Sequence, residues 1–128
     1  MPSPSKGRIL VVDDEPLIRE MAREILESRG FEVTEAVDGQ EGLDTFLSTP
    51  GGYDLIILDL VMPRLHGFQV MDRILQVSPT ARILISSGFS PDSRPELTRP
   101  TATTAFLAKP SRSKDLLDQV HRLLGLAG

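Results

Sequence analysis

Cysteine and tryptophan are absent from this chain of 128 residues, and one tyrosine and five phenylalanines are its only aromatic carbocycles. Without cysteine there is no disulfide, no thiolate zinc site and no thiol nucleophile. No apolar run approaches the ~20 residues that cross a bilayer. The opening MPSPSKG lacks the apolar stretch of a secretory signal. Basic residues are in the minority, and a formal net charge of -4 argues against direct binding to nucleic acid. His66 and His121 stand alone, without metal spacing. These absences together lead us to expect a cytoplasmic protein with no membrane segment, whose chemistry rests on oxygen and amine side chains.

What is present is ordinary in bulk: 40% hydrophobic and 25% charged residues, enough for one domain with a single core. RILVV (8–12) reads as a strand. Residues 15–29 then follow a helical period, with Ile18, Met21, Ala22, Ile25 and Leu26 on one face, Pro16 in the first turn and Gly30 at C′. FEVTEA (31–36) alternates as a half-exposed strand does. Asp38 and Glu41 resemble a capping box before a short helix bearing Leu43, Phe46 and Leu47, which TPGG (49–52) ends. YDLIILD (53–59) is a second strong strand. Val70, Ile74 and Leu75 mark a helix that stops before Pro79. RILISS (82–87) and TAFLA (104–108) are further strands, and a last helix runs from Ser113 to Gly125 with Leu116, Leu117, Val120, Leu123 and Leu124 on one face.

Strands alternating with helices imply βαβ units and a parallel sheet covered on both sides. The runs ILVV, LIILD and ILISS are apolar on both faces and belong at the centre, while FEVTEA belongs at an edge. A single doubly wound α/β domain with strand order 2-1-3-4-5 satisfies this. Its functional crevice lies beyond the carboxyl ends of the strands. There the reading places Asp13, Asp14, Asp59, Ser86, Ser87 and Lys109. Acidic residues in succession, VVDDEP, repel one another unless something offsets their charge. Two answers are open from these residues alone: Asp14 or Glu15 caps the helix that follows, or the carboxylates share a divalent cation.

The motifs VVDDEP, LDLVMPRLHG, ISSG and FLAKP occur in order on the expected elements, and over residues 8–125 the chain resembles a response-regulator receiver domain. That resemblance implies a phosphoacceptor signalling module of a two-component or phosphorelay system. Asp59 matches the phosphoacceptor. Asp14 and Asp59 match direct ligands of Mg²⁺ (or Mn²⁺), with Asp13 acting through water and the backbone carbonyl of Val61 completing the set. Lys109 matches the lysine that pairs with the acceptor carboxylate and later with a phosphoryl oxygen. Ser87 matches the hydroxyl that binds the phosphoryl group, Phe106 the aromatic switch, and Pro110 the proline that is often cis. The implied partners are a histidine kinase or histidine phosphotransfer protein and an output partner that the sequence does not name. The implied chemistry is the domain's own phosphorylation and dephosphorylation, with no turnover of a separate substrate.

Two features depart from the family. The segment SPDSRPELTRPT (90–101), where a helix is due, carries Pro91, Pro95 and Pro100, so that helix is expected to be short or disrupted. Val61 and Phe89, flanking the path of a hydrolytic water, cannot hydrogen-bond it through their side chains, so a long-lived phosphoaspartate is expected. Residues 1–7 read as a tail and 126–128 as the chain end. No output domain follows, which suggests a stand-alone regulator or a receiver cut from a hybrid kinase. Three other readings compete. A flavodoxin-like cofactor binder would need a glycine-rich phosphate loop where DDE stands. A Mg²⁺-dependent phosphatase would need an acid or base at Val61. A pseudo-receiver, acting as a phosphorylation-independent interaction module, would need a broken site.

Overall fold

The computed structural model describes residues 6–49, 51–60, 67–88, 101–109 and 111–126. Four strands alternate with helices before a fifth strand and a last helix: β1 (Arg8–Val12), α1 (Pro16–Glu27), β2 (Glu32–Ala36), α2 (Gly39–Ser48), β3 (Leu55–Leu58), α3 (Gly67–Val77), β4 (Ile83–Ser87), β5 (Thr104–Ala108) and α4 (Ser113–Leu124) among the described residues. All strands pair in parallel, in the order β2-β1-β3-β4-β5. The expected architecture is therefore the observed one, with the half-polar β2 at an edge.

Alternation along the strands divides the core in two. Leu10, Val12, Ile56, Leu58, Ile83 and Ile85 face α2 and α3, where they meet Leu43, Phe46, Val70, Met71 and Ile74. Ile9, Val11, Leu55, Ile57 and Leu84 face α1 and α4, where they meet Ala22, Leu26, Leu116, Leu117 and Val120. Every residue of β3 and β4 is buried, as continuous apolar runs require of central parallel strands.

Several expected boundaries contract. β2 starts at Glu32 rather than residue 31, β3 spans Leu55–Leu58 rather than 53–59, and β4 starts at Ile83. Met21 and Leu47, placed on core faces by helical period, are 54% and 41% exposed. Each lies at the margin of its apolar stripe, where periodicity alone cannot separate core from rim. Gly30 lies two positions past the Ser28 C-cap of α1 rather than at C′, and its φ of 94° explains the glycine. Asp38 caps α2, the Glu41 amide donating to its Oδ1 at 2.8 Å, and the Glu41 side chain reaches back one residue past the cap, its Oε1 accepting from the Val37 amide at 3.1 Å. Most of the 90–101 segment, and with it the expected disrupted helix, lies outside the described residues.

Candidate functional site

The sheet brings the carboxyl ends of β1, β3, β4 and β5 to one rim. The Asp59 amide donates to the Val12 carbonyl at 3.0 Å, extending the β1–β3 ladder one residue past β3 and bringing Asp59 alongside the acidic pair. The Lys109 amide donates to the Ser87 carbonyl at 2.8 Å and does the same for β4 and β5. Residues far apart in sequence thus converge because ladder bonds continue beyond the strands that carry them.

Asp13, Asp14 and Asp59 each offer a carboxylate oxygen within 4.8 Å of the others. Asp13 and Asp59 are buried, at 3% and 5% exposure, and Asp14 is exposed. Two buried anions at that separation are costly unless cations offset them. Lys109 supplies one: its Nζ donates to Asp13 Oδ2 at 2.7 Å and stands 3.6 Å from Asp59 and 3.8 Å from Glu15. Burial alone would lower the Lys109 pKa. The hydrogen bond to Asp13 and the charges of Asp13, Asp59 and Glu15 outweigh that and hold it above the ordinary lysine value. Three carboxylates against one ammonium still leave an acidic excess. The donor set is all oxygen, with no thiolate or imidazole, and suits a hard divalent cation of the Mg²⁺ class.

The capping alternative fails on the geometry. Glu15 occupies the N-cap of α1, but its side chain makes no capping bond. The Glu15 amide instead donates to Asp13 Oδ1 at 2.9 Å, so Asp13 orders the turn with one oxygen and holds Lys109 with the other. Asp14 is exposed at the rim, with a carboxylate oxygen still within the cluster it forms with Asp13 and Asp59.

Ser87 ends β4, 1% exposed, beside the Asp59 end of β3. Phe106 pairs with Ile85 in the β4–β5 register and is partly buried against the α2–α3 core. Val61, Phe89 and Pro110 lie outside the described residues. Two contributors escaped the sequence reading. Gly67 opens α3, and its amide donates to the Leu60 carbonyl at 3.0 Å; a Cβ there would strike the Asp59 carbonyl oxygen and approach the Leu60 Cα to 2.6 Å. Arg19 reaches back from α1, with Nη1 donating to the Asp13 carbonyl at 2.7 Å and Nε to Glu35 Oε1 at 3.1 Å. The glycine in LHG was the only sequence signal for the first. An arginine in the first turns of a helix signals nothing specific, so the second had none.

Residues 9–121 match the family model of the response regulator receiver domain. The chemotaxis protein CheY of Bacillus subtilis is 30% identical over 91% of this chain and 97% of its own length. The sensor kinase CckA of Brucella abortus is also 30% identical, but the chain spans only 12% of that protein. The chain spans about half of the transcriptional regulatory protein YkoG of Bacillus subtilis, at 35% identity. Among solved structures, the response regulator TrrA of Thermotoga maritima, in complex with Mg²⁺ and BeF, superimposes with a TM-score of 0.78 at 36% identity, covering 91% of this chain and 98% of that one. A receiver domain from Clostridium thermocellum reaches 0.83 at 28% identity, covering 93% and 94%. Motifs, topology, rim geometry and family match agree: the chain belongs to the response regulator receiver domains.

Proposed function

We propose that the chain is a phosphorylation-controlled signalling module in which Asp59 accepts a phosphoryl group from a phosphohistidine. The observation that carries this reading is the convergence of Asp13, Asp14, Asp59 and Lys109 on one rim, with Asp59 at the end of a central strand. A carboxylate oxygen of Asp59 attacks phosphorus. The P–N bond of the donor breaks, its electron pair stays on the imidazole, and an acyl phosphate remains on Asp59. The chief obstacle is repulsion between two approaching anions.

Asp14 and Asp59 would hold Mg²⁺ (or Mn²⁺) directly, with Asp13 through water and the Val61 carbonyl completing the protein's share. When bound, the cation supplies charge neutralisation between carboxylate and phosphoryl oxygens. Lys109, already 3.6 Å from Asp59, shifts from Asp13 toward the phosphoryl group and offsets part of its charge. Ser87 donates its hydroxyl to a phosphoryl oxygen, and Phe106 follows that movement. The added charge of about -1.5 to -2 biases two arrangements of the rim, which an output partner reads.

The donor is a histidine kinase or histidine phosphotransfer protein, which must bring its phosphohistidine to the rim. A groove of about 270 Å³ opens between α1 and the start of α4, with Asp13 and Lys109 at its margin and Ile18 and Met21 in its wall. This apolar surface adjoins the acceptor and suits such a docking protein. Within the domain the transfer is stoichiometric, and no separate substrate is turned over. Among the described residues no helix is long and apolar enough to cross a membrane.

The test is intact mass after incubation with phosphoramidate and Mg²⁺. The expected result is a gain of one phosphoryl group that needs Mg²⁺ and is absent from Asp59→Asn. A gain that persists in Asp59→Asn would assign the wrong acceptor. Failure to gain phosphate from either phosphoramidate or a phosphorylated histidine protein would favour the pseudo-receiver reading.

A further inference from the structure

Of the three clustered carboxylates, two are fixed by contacts to their own side chains. Asp13 accepts from Lys109 and from the Glu15 amide, and Asp59 lies against Lys109. Asp14 differs: among the described residues its exposed carboxylate accepts no hydrogen bond and joins no ion pair. Its position therefore depends on the backbone that carries it, which is held before Asp14 by the Asp13 amide on the Ala36 carbonyl at 3.2 Å, after it by the Glu15 amide on Asp13 Oδ1 at 2.9 Å, and at the intervening Asp13 carbonyl by Arg19.

The Asp13 carbonyl belongs to the peptide unit that joins Asp13 to Asp14. The Asp13 amide still donates to the Ala36 carbonyl at 3.2 Å, but strand β1 ends at Val12 and the Asp13 carbonyl turns to a side chain instead of the ladder. Arg19 Nη1 captures it at 2.7 Å. The same guanidinium is held by Glu35 on β2, Nε to Oε1 at 3.1 Å, and only 12% of the Arg19 side chain is exposed. Glu35 is held in turn by Arg23, Nη1 to Oε2 at 2.7 Å, and Arg23 Nη2 donates to the Val33 carbonyl at 2.6 Å. A continuous polar chain thus runs from the edge strand through two arginines of α1 to the peptide bearing Asp14. The task needs an arginine: two donors at fixed separation must meet a carbonyl and a carboxylate at once, and an ammonium has no such fork.

We infer that Arg19, backed by Glu35, is a positioning residue that sets the orientation of the Asp13–Asp14 peptide and thereby tunes divalent-cation affinity through Asp14. This rests on the proposal that Asp14 is a metal ligand. Partners that orient ligands commonly change metal affinity by about 10–100-fold when removed. Arg19 acts through the backbone, which places its effect near the lower end. Arg23 provides the internal control, because it supports Glu35 and β2 but does not touch the Asp13 carbonyl.

The experiment is calorimetric titration of the whole chain with Mg²⁺ alone, with thermal unfolding of each apo variant alongside. Arg19→Lys and Arg19→Met should weaken Mg²⁺ binding by about tenfold. Glu35→Gln should weaken it less, and Arg23→Met should lower thermal stability while leaving Mg²⁺ affinity within about twofold. Should Arg19→Met fail to fold, Arg19→Lys and Glu35→Gln decide the question. Unchanged affinity in the Arg19 variants, with binding still abolished by Asp14→Asn, would overturn the positioning role and leave the metal reading intact. Equal weakening by Arg23→Met would also overturn it, because the effect would then be general to the α1–β2 contact. Mg²⁺ binding to the wild type that Asp14→Asn does not alter, or no binding at all, would overturn both readings together.

Discussion

Gly67 offers a sharp mechanical test, because its tolerance for a single methyl group follows from two distances. An added Cβ would meet backbone rather than side chain, striking the Asp59 carbonyl oxygen and standing 2.6 Å from the Leu60 Cα. Backbone at the end of a central strand cannot rotate away, so either α3 lifts or the Asp59 loop moves. Overpacking of this kind costs typically about 1–3 kcal/mol. Alanine returns up to about 1 kcal/mol through helix propensity, less at the first position of a helix. The net expectation for Gly67→Ala is a loss of about 1–2 kcal/mol, seen as a lower urea midpoint at unchanged m-value. Acceptor yield should fall with it, because the displaced atoms belong to Asp59 itself. Gly88→Ala is the matched control on the same rim: among the described residues its Cβ would find only the Lys109 Cβ, at 3.9 Å. It should be nearly neutral. Equal stability of Gly67→Ala and wild type, with equal phosphorylation, would refute the close-approach argument.

Further expectations concern the charges. Lys109→Met leaves buried Asp13 and Asp59 without their ammonium and should lower stability by roughly 1–3 kcal/mol in urea unfolding at neutral pH. The folded-state pKa of Lys109 lies above 10.5, so its stabilisation is complete below that value and is lost as pH rises through the folded pKa. The wild type should therefore lose stability above about pH 10.5 more steeply than Lys109→Met, as thermal scans across alkaline pH would record. Mg²⁺ at 100 times its Kd should raise stability by about 2.7 kcal/mol, and chelation should reverse this; Asp14→Asn should show neither effect. Introducing Asn at position 61 and Glu at position 89 should speed phosphate loss, followed by intact mass over time, and an unchanged decay would show that another feature sets the lifetime.

Much of the fold was legible because its signals are local or additive. ILVV, LIILD and ILISS can be buried on both faces only in a central parallel sheet, and the acidic pair, Asp59 and Lys109 fall at strand ends. What stayed hidden depends on which of several neighbours a side chain selects. The family resemblance pairs Lys109 with Asp59, and the ion pair is present at 3.6 Å, but the shorter bond, to Asp13 at 2.7 Å, was not read from the sequence. Position 14 or 15 looks like a helix cap by residue type, yet Asp13 orders that turn. Arg19 and Glu35 are 16 residues apart on different elements, and no periodicity predicts that they meet at the Asp13 carbonyl. Met21 and Leu47 obey the helical period but sit where the stripe meets solvent. Patterning thus placed these residues at one rim, and side-chain geometry decided how they are held.

The most direct test of the central claim is to locate the phosphoryl group. Borohydride reduces an acyl phosphate to an alcohol and leaves free carboxylates untouched, so peptide mapping of the phosphorylated, reduced chain reads the acceptor by position. Reduction at residue 59 alone, dependent on Mg²⁺ during phosphorylation, is the predicted result. Reduction at Asp13 or Asp14 instead, or phosphate retained on a residue that borohydride does not reduce, would contradict the account.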